Sequence, residues 1–130
     1  AALWTYFLPN YQYVLDIYNS KRFGELLELK ADFGFKPAYN LESRLIKKEV
    51  GGGSLLDIGI YPIFAALSTL GIPNTIEANA TFFETGADSE CNMTFQYKNA
   101  KAILKSTLKE DTKTEAIFTF EKAIVKINRQ

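Results

Sequence analysis

At 130 residues, with 47% hydrophobic and 14% aromatic residues against 23% charged, the chain has enough apolar surface for one packed domain and falls outside the disordered class. Fifteen basic and fifteen acidic residues cancel, which removes the field that draws proteins onto nucleic acid or anionic membranes. Histidine is absent and Cys91 is the single cysteine, which excludes histidine-based triads, imidazole-ligated zinc and thiolate cages; no metal is expected, and a reducing, cytoplasmic setting is.

After Trp4-Thr5-Tyr6-Phe7-Leu8-Pro9, the spacing of Tyr11, Val14, Leu15 and Tyr18 predicts a helix from Asn10 to Lys21 with Asn10 as its N-cap. From Leu27 the period changes to two. Leu27, Leu29, Ala31, Phe33 and Phe35 share one side of a predicted strand, and Glu28, Lys30, Asp32 and Lys36 the other. Lys36-Pro37 ends it, and a loop through Asn40 to Glu49 leads to a glycine run.

That run opens the stretch GGGSLLDIGIYPIFAALSTLG, Gly51 to Gly71. Glycines before a helix suggest a phosphate cradle, but Leu56 stands where a dinucleotide fingerprint needs a small residue, and no lysine follows where a phosphate loop needs one. A nucleophile elbow around Ser54 fails on the same Leu56. The pattern reads instead as a tight turn with Ser54 as N-cap and Asp57 completing a capping box. Gly59 and Pro62 should interrupt the helix, giving a short turn, a break, and a second helix that has Pro62 in its first turn and stops at Gly71 before Pro73. Asp57 and Tyr61, four positions apart, share one face, although Tyr61 reads equally well as a packed core tyrosine. Asp57 also interrupts the best apolar run short of the roughly 20 residues a bilayer requires, so no membrane span is expected.

Beyond Pro73 the period of two returns in five segments: Ile76 to Phe82, Cys91 to Tyr97, Ala102 to Leu108, Ala116 to Phe120, and Ala123 to Ile127. Short, turn-rich connections predict antiparallel neighbours in a meander. The fold class is therefore α+β, an antiparallel open sheet with helices on one face. The other face carries Glu77, Asn79, Thr81, Asn92, Thr94 and Gln96, yet also Ile103, Ile117 and Ile124, which favour burial against a second copy.

The string Ser43-Arg44-Leu45, a spacer, and Gly51-Gly52-Gly53-Ser54-Leu55-Leu56-Asp57-Ile58-Gly59-Ile60-Tyr61-Pro62 closely resembles the second domain of the glucose-fructose oxidoreductase, inositol dehydrogenase and rhizopine catabolism family. It looks most like the dihydrodiol dehydrogenase and sugar dehydrogenase branch, which has tyrosine where the inositol dehydrogenase branch has histidine. Ala2 to Pro9 is similar to the family's link out of its cofactor domain. The resemblance implies a glyceraldehyde-3-phosphate dehydrogenase-like C-terminal domain, and residues 1–130 as one substrate-binding and oligomerisation domain lacking the amino-terminal Rossmann domain that binds NAD or NADP. The start at Ala1 and the end at Gln130 agree with a piece of a longer protein, which alone should not turn over.

For Tyr61 the resemblance implies a general acid or base acting as hydride moves between nicotinamide and a sugar, polyol or diol. A free phenol ionises near pH 10, so the role needs a neighbouring cation, which a lysine of the missing domain would supply. Asp57 is implied to orient substrate hydroxyls or that lysine. Arg44 faces the pocket or serves a structural ion pair, and Trp4 walls the pocket or packs. Tyr6 stands where many relatives carry arginine, which bears on substrate preference. The alternative is a non-catalytic binding or assembly module on the same fold.

Overall fold

The computed structural model describes residues 4–40 and 42–128, with the side chains of Trp4 and Thr5 outside that description. A 3-10 turn, Trp4–Phe7, leads into helix α1, Pro9–Ser20. Proline at the first helical position sets the backbone angle the helix needs and lacks only an N–H that would have no partner there. Asn10 is therefore inside the first turn and is not the cap; Leu8 holds that position without a side-chain bond. Tyr11, Val14 and Ile17 form the buried stripe, and Lys21 closes the helix in a left-handed conformation.

Six strands follow: β1 Leu26–Gly34, β2 Thr75–Phe82, β3 Asp88–Gln96, β4 Lys101–Thr107, β5 Ala116–Phe120 and β6 Ile124–Ile127. They form one open sheet in the order β2-β3-β4-β1-β5-β6, antiparallel except between β1 and β4. The expected meander fails at one place: β4 does not pair with β5, because β1 lies between them. The connection 108–115 has to cross only two strand spacings, roughly 10 Å, so its length permits the insertion. The long segment between β1 and β2 supplies the crossover that a parallel pair requires.

A bulge between Leu26 and Glu28 shifts the phase of β1. Leu26, Leu29 and Ala31 face the core, whereas Leu27, which simple alternation places inside, is exposed. Edge strand β2 departs further: all eight of its residues are exposed, including Ile76, Ala78, Ala80 and Phe82, because the helices do not reach that edge. β3 keeps strict alternation, with Cys91, Met93 and Phe95 buried in the core cluster that also takes in residues of α1 and helix α2, Ile60–Thr69.

The helical succession Lys48–Thr69, 22 residues with an 18-residue window of mean hydropathy 1.5, has the length and composition of a membrane span, against the expectation that Asp57 interrupts the best apolar run. It is broken into separate turns by Gly51–Gly53, and Ser54, Ile58, Ala65 and Ala66 are buried in the manner of a core helix.

Phe118 of β5, at 0% exposure, sits in this core. Phe118→Ala should cost about 3–5 kcal/mol, read as a fall in the urea midpoint with an unchanged slope.

Candidate active site

The corner that carries Asp57 and Tyr61 is built by Gly52 and Gly53, which leave no space for anything larger. Gly52 N–H donates to the Lys47 carbonyl at 2.8 Å and Gly53 N–H to the Leu45 carbonyl at 2.7 Å. A Cβ on Gly52 would lie 2.5 Å from the Arg44 carbonyl oxygen, and one on Gly53 would lie 2.2 Å from Asp88 Oδ1. Both glycines are buried, which agrees with the reading that rejected a phosphate cradle.

The expected capping box does not form. Ser54 is already helical, with φ −66° and ψ −39°, and its side chain makes no cap bond. Its Oγ donates to Asp88 Oδ2 at 2.6 Å, and Leu55 N–H donates to the same oxygen at 2.8 Å. A carboxylate from the first residue of β3 thus satisfies the start of the helix. Nothing in the local pattern around Ser54 announces a partner 34 positions away.

The predicted break at Gly59 and Pro62 takes the form of a π-helical turn, Leu55–Gly59, that runs directly into α2. Pro62 is in the first turn of α2, as the spacing predicts; it has no N–H to return to the Ile58 carbonyl, and a widened turn accommodates that loss.

Tyr61 emerges from this corner partly exposed, its ring stacked on Phe33 of β1 with centroids 5.3 Å apart and planes 27° from parallel. The two rings wall a cleft of about 110 Å³ that also takes in Tyr11, Asp32, Thr114 and Glu115. The cleft holds a second phenol, but Tyr11 is only 1% exposed and its hydroxyl bonds Ser68 Oγ on α2. Burial pushes the Tyr11 phenol above its usual range, against the opposing effect of the Ser68 bond, so it stays neutral. Of the two, Tyr61 is the one open to a ligand.

Asp57 turns to a different partner. Its Oδ1 accepts a hydrogen bond from Arg44 Nη1 at 3.0 Å, an ion pair whose arginine side chain is 71% exposed. Such a pair contributes at most about 1 kcal/mol. The structure therefore places Asp57, Arg44 and Tyr61 at one helical corner but only Tyr61 in the wall of the cleft. Trp4 belongs to the 3-10 turn at the start of the chain, and its side chain lies outside the described residues. Tyr6 packs edge-on to Phe64, which stacks on Tyr11. Periodicity in the sequence marks Tyr11 as helical and Phe33 as one side of a strand, and gives neither them nor Asp32, Thr114 and Glu115 a role at the site; only the packed fold brings them to Tyr61. Among the described residues, no group of three or more Cys, Asp or Glu side chains gathers as a metal site would require.

A family model for the GFO/IDH/MocA C-terminal domain matches residues 11–125. The chain belongs to the GFO/IDH/MocA family. Among curated GFO/IDH/MocA-type relatives, the trans-1,2-dihydrobenzene-1,2-diol dehydrogenase of Xenopus tropicalis is 32% identical over 97% of this chain and 38% of its own length. A dTDP-3,4-didehydro-2,6-dideoxy-alpha-D-glucose 3-reductase of Saccharopolyspora spinosa is 44% identical over 48% of this chain and 19% of its own. The aldose-aldose oxidoreductase of Caulobacter crescentus, solved with glycerol, superposes with a TM-score of 0.86 at 20% identity, over 98% of this chain and 40% of that one, which establishes the fold. The GFO/IDH/MocA domain seen here thus spans about two-fifths of the length of the relatives it matches across its full extent.

Proposed function

We propose that the chain is the substrate-binding and oligomerisation domain of a longer NAD- or NADP-dependent oxidoreductase that moves hydride to or from a hydroxyl-bearing carbon of a diol, sugar or polyol. The observation that carries this reading is the position of Tyr61, a partly exposed phenol backed by Phe33 in the wall of a cleft. The activities of the relatives, a diol dehydrogenase and a sugar-nucleotide reductase, support the substrate class.

The glycine run does not cradle the dinucleotide's phosphates, because Gly52 and Gly53 are buried and the three glycine N–H groups already donate to backbone carbonyls. The nicotinamide, carried by the remainder of the protein in an amino-terminal Rossmann domain, supplies or accepts the hydride. Tyr61 gives a proton to the carbonyl oxygen during reduction and takes it back during oxidation. A lysine of that amino-terminal domain supplies the cation that favours the ionised phenol. Asp57 and the remaining N–H donors of Arg44 orient substrate hydroxyls, and Trp4 walls the substrate. The open sheet face, where Ile124 is 69% exposed among polar neighbours, takes a second copy.

Full-length protein should be offered trans-diols, aldoses and polyols with each oxidised nicotinamide, while absorbance of the reduced form is followed. Oxidation of at least one substrate class is expected, with none from the 130 residues alone. The absence of hydride transfer with either cofactor would overturn the reading, and sedimentation as a strict monomer would remove its oligomerisation part.

A further inference from the structure

Thr114 has φ +50°, in the left-handed region that a β-branched residue rarely adopts. The other non-glycine residue with positive φ among those described, Lys21, closes a helix, where that conformation is ordinary. Thr114 instead lies two residues before β5 and lines the cleft beside Tyr61.

The surroundings hold this conformation in place. Asp32 Oδ2 accepts from Thr114 N–H at 3.1 Å and Asp32 Oδ1 from Glu115 N–H at 3.2 Å. Thr112 N–H donates to the Gly34 carbonyl at 3.2 Å, and the Glu115 carboxylate pairs with Lys126 at 3.0 Å. A connection that only had to turn here would be served better by glycine or asparagine, which adopt the left-handed region at little cost. What threonine adds, at a residue that lines the cleft, is a methyl group and a hydroxyl whose Oγ1 lies 3.4 Å from Thr112 Oγ1. Backbone strain fixed by a dedicated carboxylate, at a cleft that holds a proton-transferring phenol, marks a residue kept for what it touches.

We propose that Thr114 is a substrate-contacting residue that sets specificity: its hydroxyl hydrogen-bonds a substrate oxygen adjacent to the carbon served by Tyr61, and Asp32 positions it. The inference rests on the oxidoreductase reading above and adds the group that distinguishes a vicinal diol or polyol from a simple alcohol. A site that bonds a substrate hydroxyl binds ligands lacking it less well, because Thr114 Oγ1 then keeps only its 3.4 Å contact with Thr112 Oγ1.

The test is a set of Thr114 variants in the full-length enzyme, assayed with a vicinal diol and the matching mono-alcohol. Thr114→Gly should raise the melting temperature by relieving the backbone, yet raise KM for the diol about tenfold with kcat within about threefold, and narrow the preference for diol over mono-alcohol. Thr114→Ser keeps the hydroxyl and should restore KM to within about threefold of the parent. A Thr114→Gly enzyme that is more stable with unchanged KM and preference would show a purely structural threonine and overturn the proposal. A parent enzyme that oxidises neither compound class would overturn this inference together with the reading beneath it, whereas an active parent with insensitive variants overturns this inference alone.

Discussion

Tyr61→Phe in the full-length protein should lower kcat by about 10²- to 10⁴-fold, the range a positioned general acid or base contributes. The substitution removes one oxygen and keeps the ring, so the stack on Phe33 at 5.3 Å and the shape of the cleft survive. Cofactor affinity should stay within about twofold, because the glycine N–H groups at this corner already donate to backbone carbonyls. The measurement is steady-state kinetics beside fluorescence titration of reduced nicotinamide. If kcat holds while the ring is retained, the phenol only packs, and the proton must move through another group. A fall in cofactor affinity as large as the fall in kcat would instead mean that the substitution has disturbed the fold around the π-helical turn. Tyr61→Ala is a useful companion: it removes the wall as well as the proton, so KM should rise in addition to the loss in kcat.

Gly53→Ala should destabilise the fold by about 2–4 kcal/mol. Gly53 has φ +118°, and a Cβ there would lie 2.2 Å from Asp88 Oδ1 and 3.2 Å from the Asp88 backbone nitrogen. The carboxylate cannot simply swing away, because its other oxygen accepts from Ser54 Oγ and Leu55 N–H. Gly51→Ala is the control: φ is +78° but nothing lies within 4 Å, so only the backbone cost of about 1 kcal/mol remains. Urea denaturation of both variants separates the two contributions. Equal losses would mean that contact with Asp88 does not constrain the corner. The larger loss at Gly53 should also weaken turnover in the intact enzyme, since Gly53 oxygen accepts the Asp57 N–H at 3.2 Å and so helps start the turn that presents Tyr61.

Periodicity in this sequence determined the elements. Apolar spacing marked α1 and α2, alternation marked the strands, and Pro62 and Gly71 marked where α2 begins and ends, since each of these signals acts over a few residues of backbone. The local string from Gly51 to Pro62 likewise carried the likeness to the family whose model the chain matches. Tertiary structure decided what no short window encodes. β1 inserts between β4 and β5 because pairing joins residues far apart in the chain, and a bulge at Leu26 moves Leu27 out of the core. Asp88 takes over the helix start that Ser54 and Asp57 were expected to share, and Asp57 turns to Arg44. Only that assembled sheet brings Phe33, Asp32 and Thr114 to the phenol of Tyr61, because a cleft is a property of packed surfaces and has no period of its own.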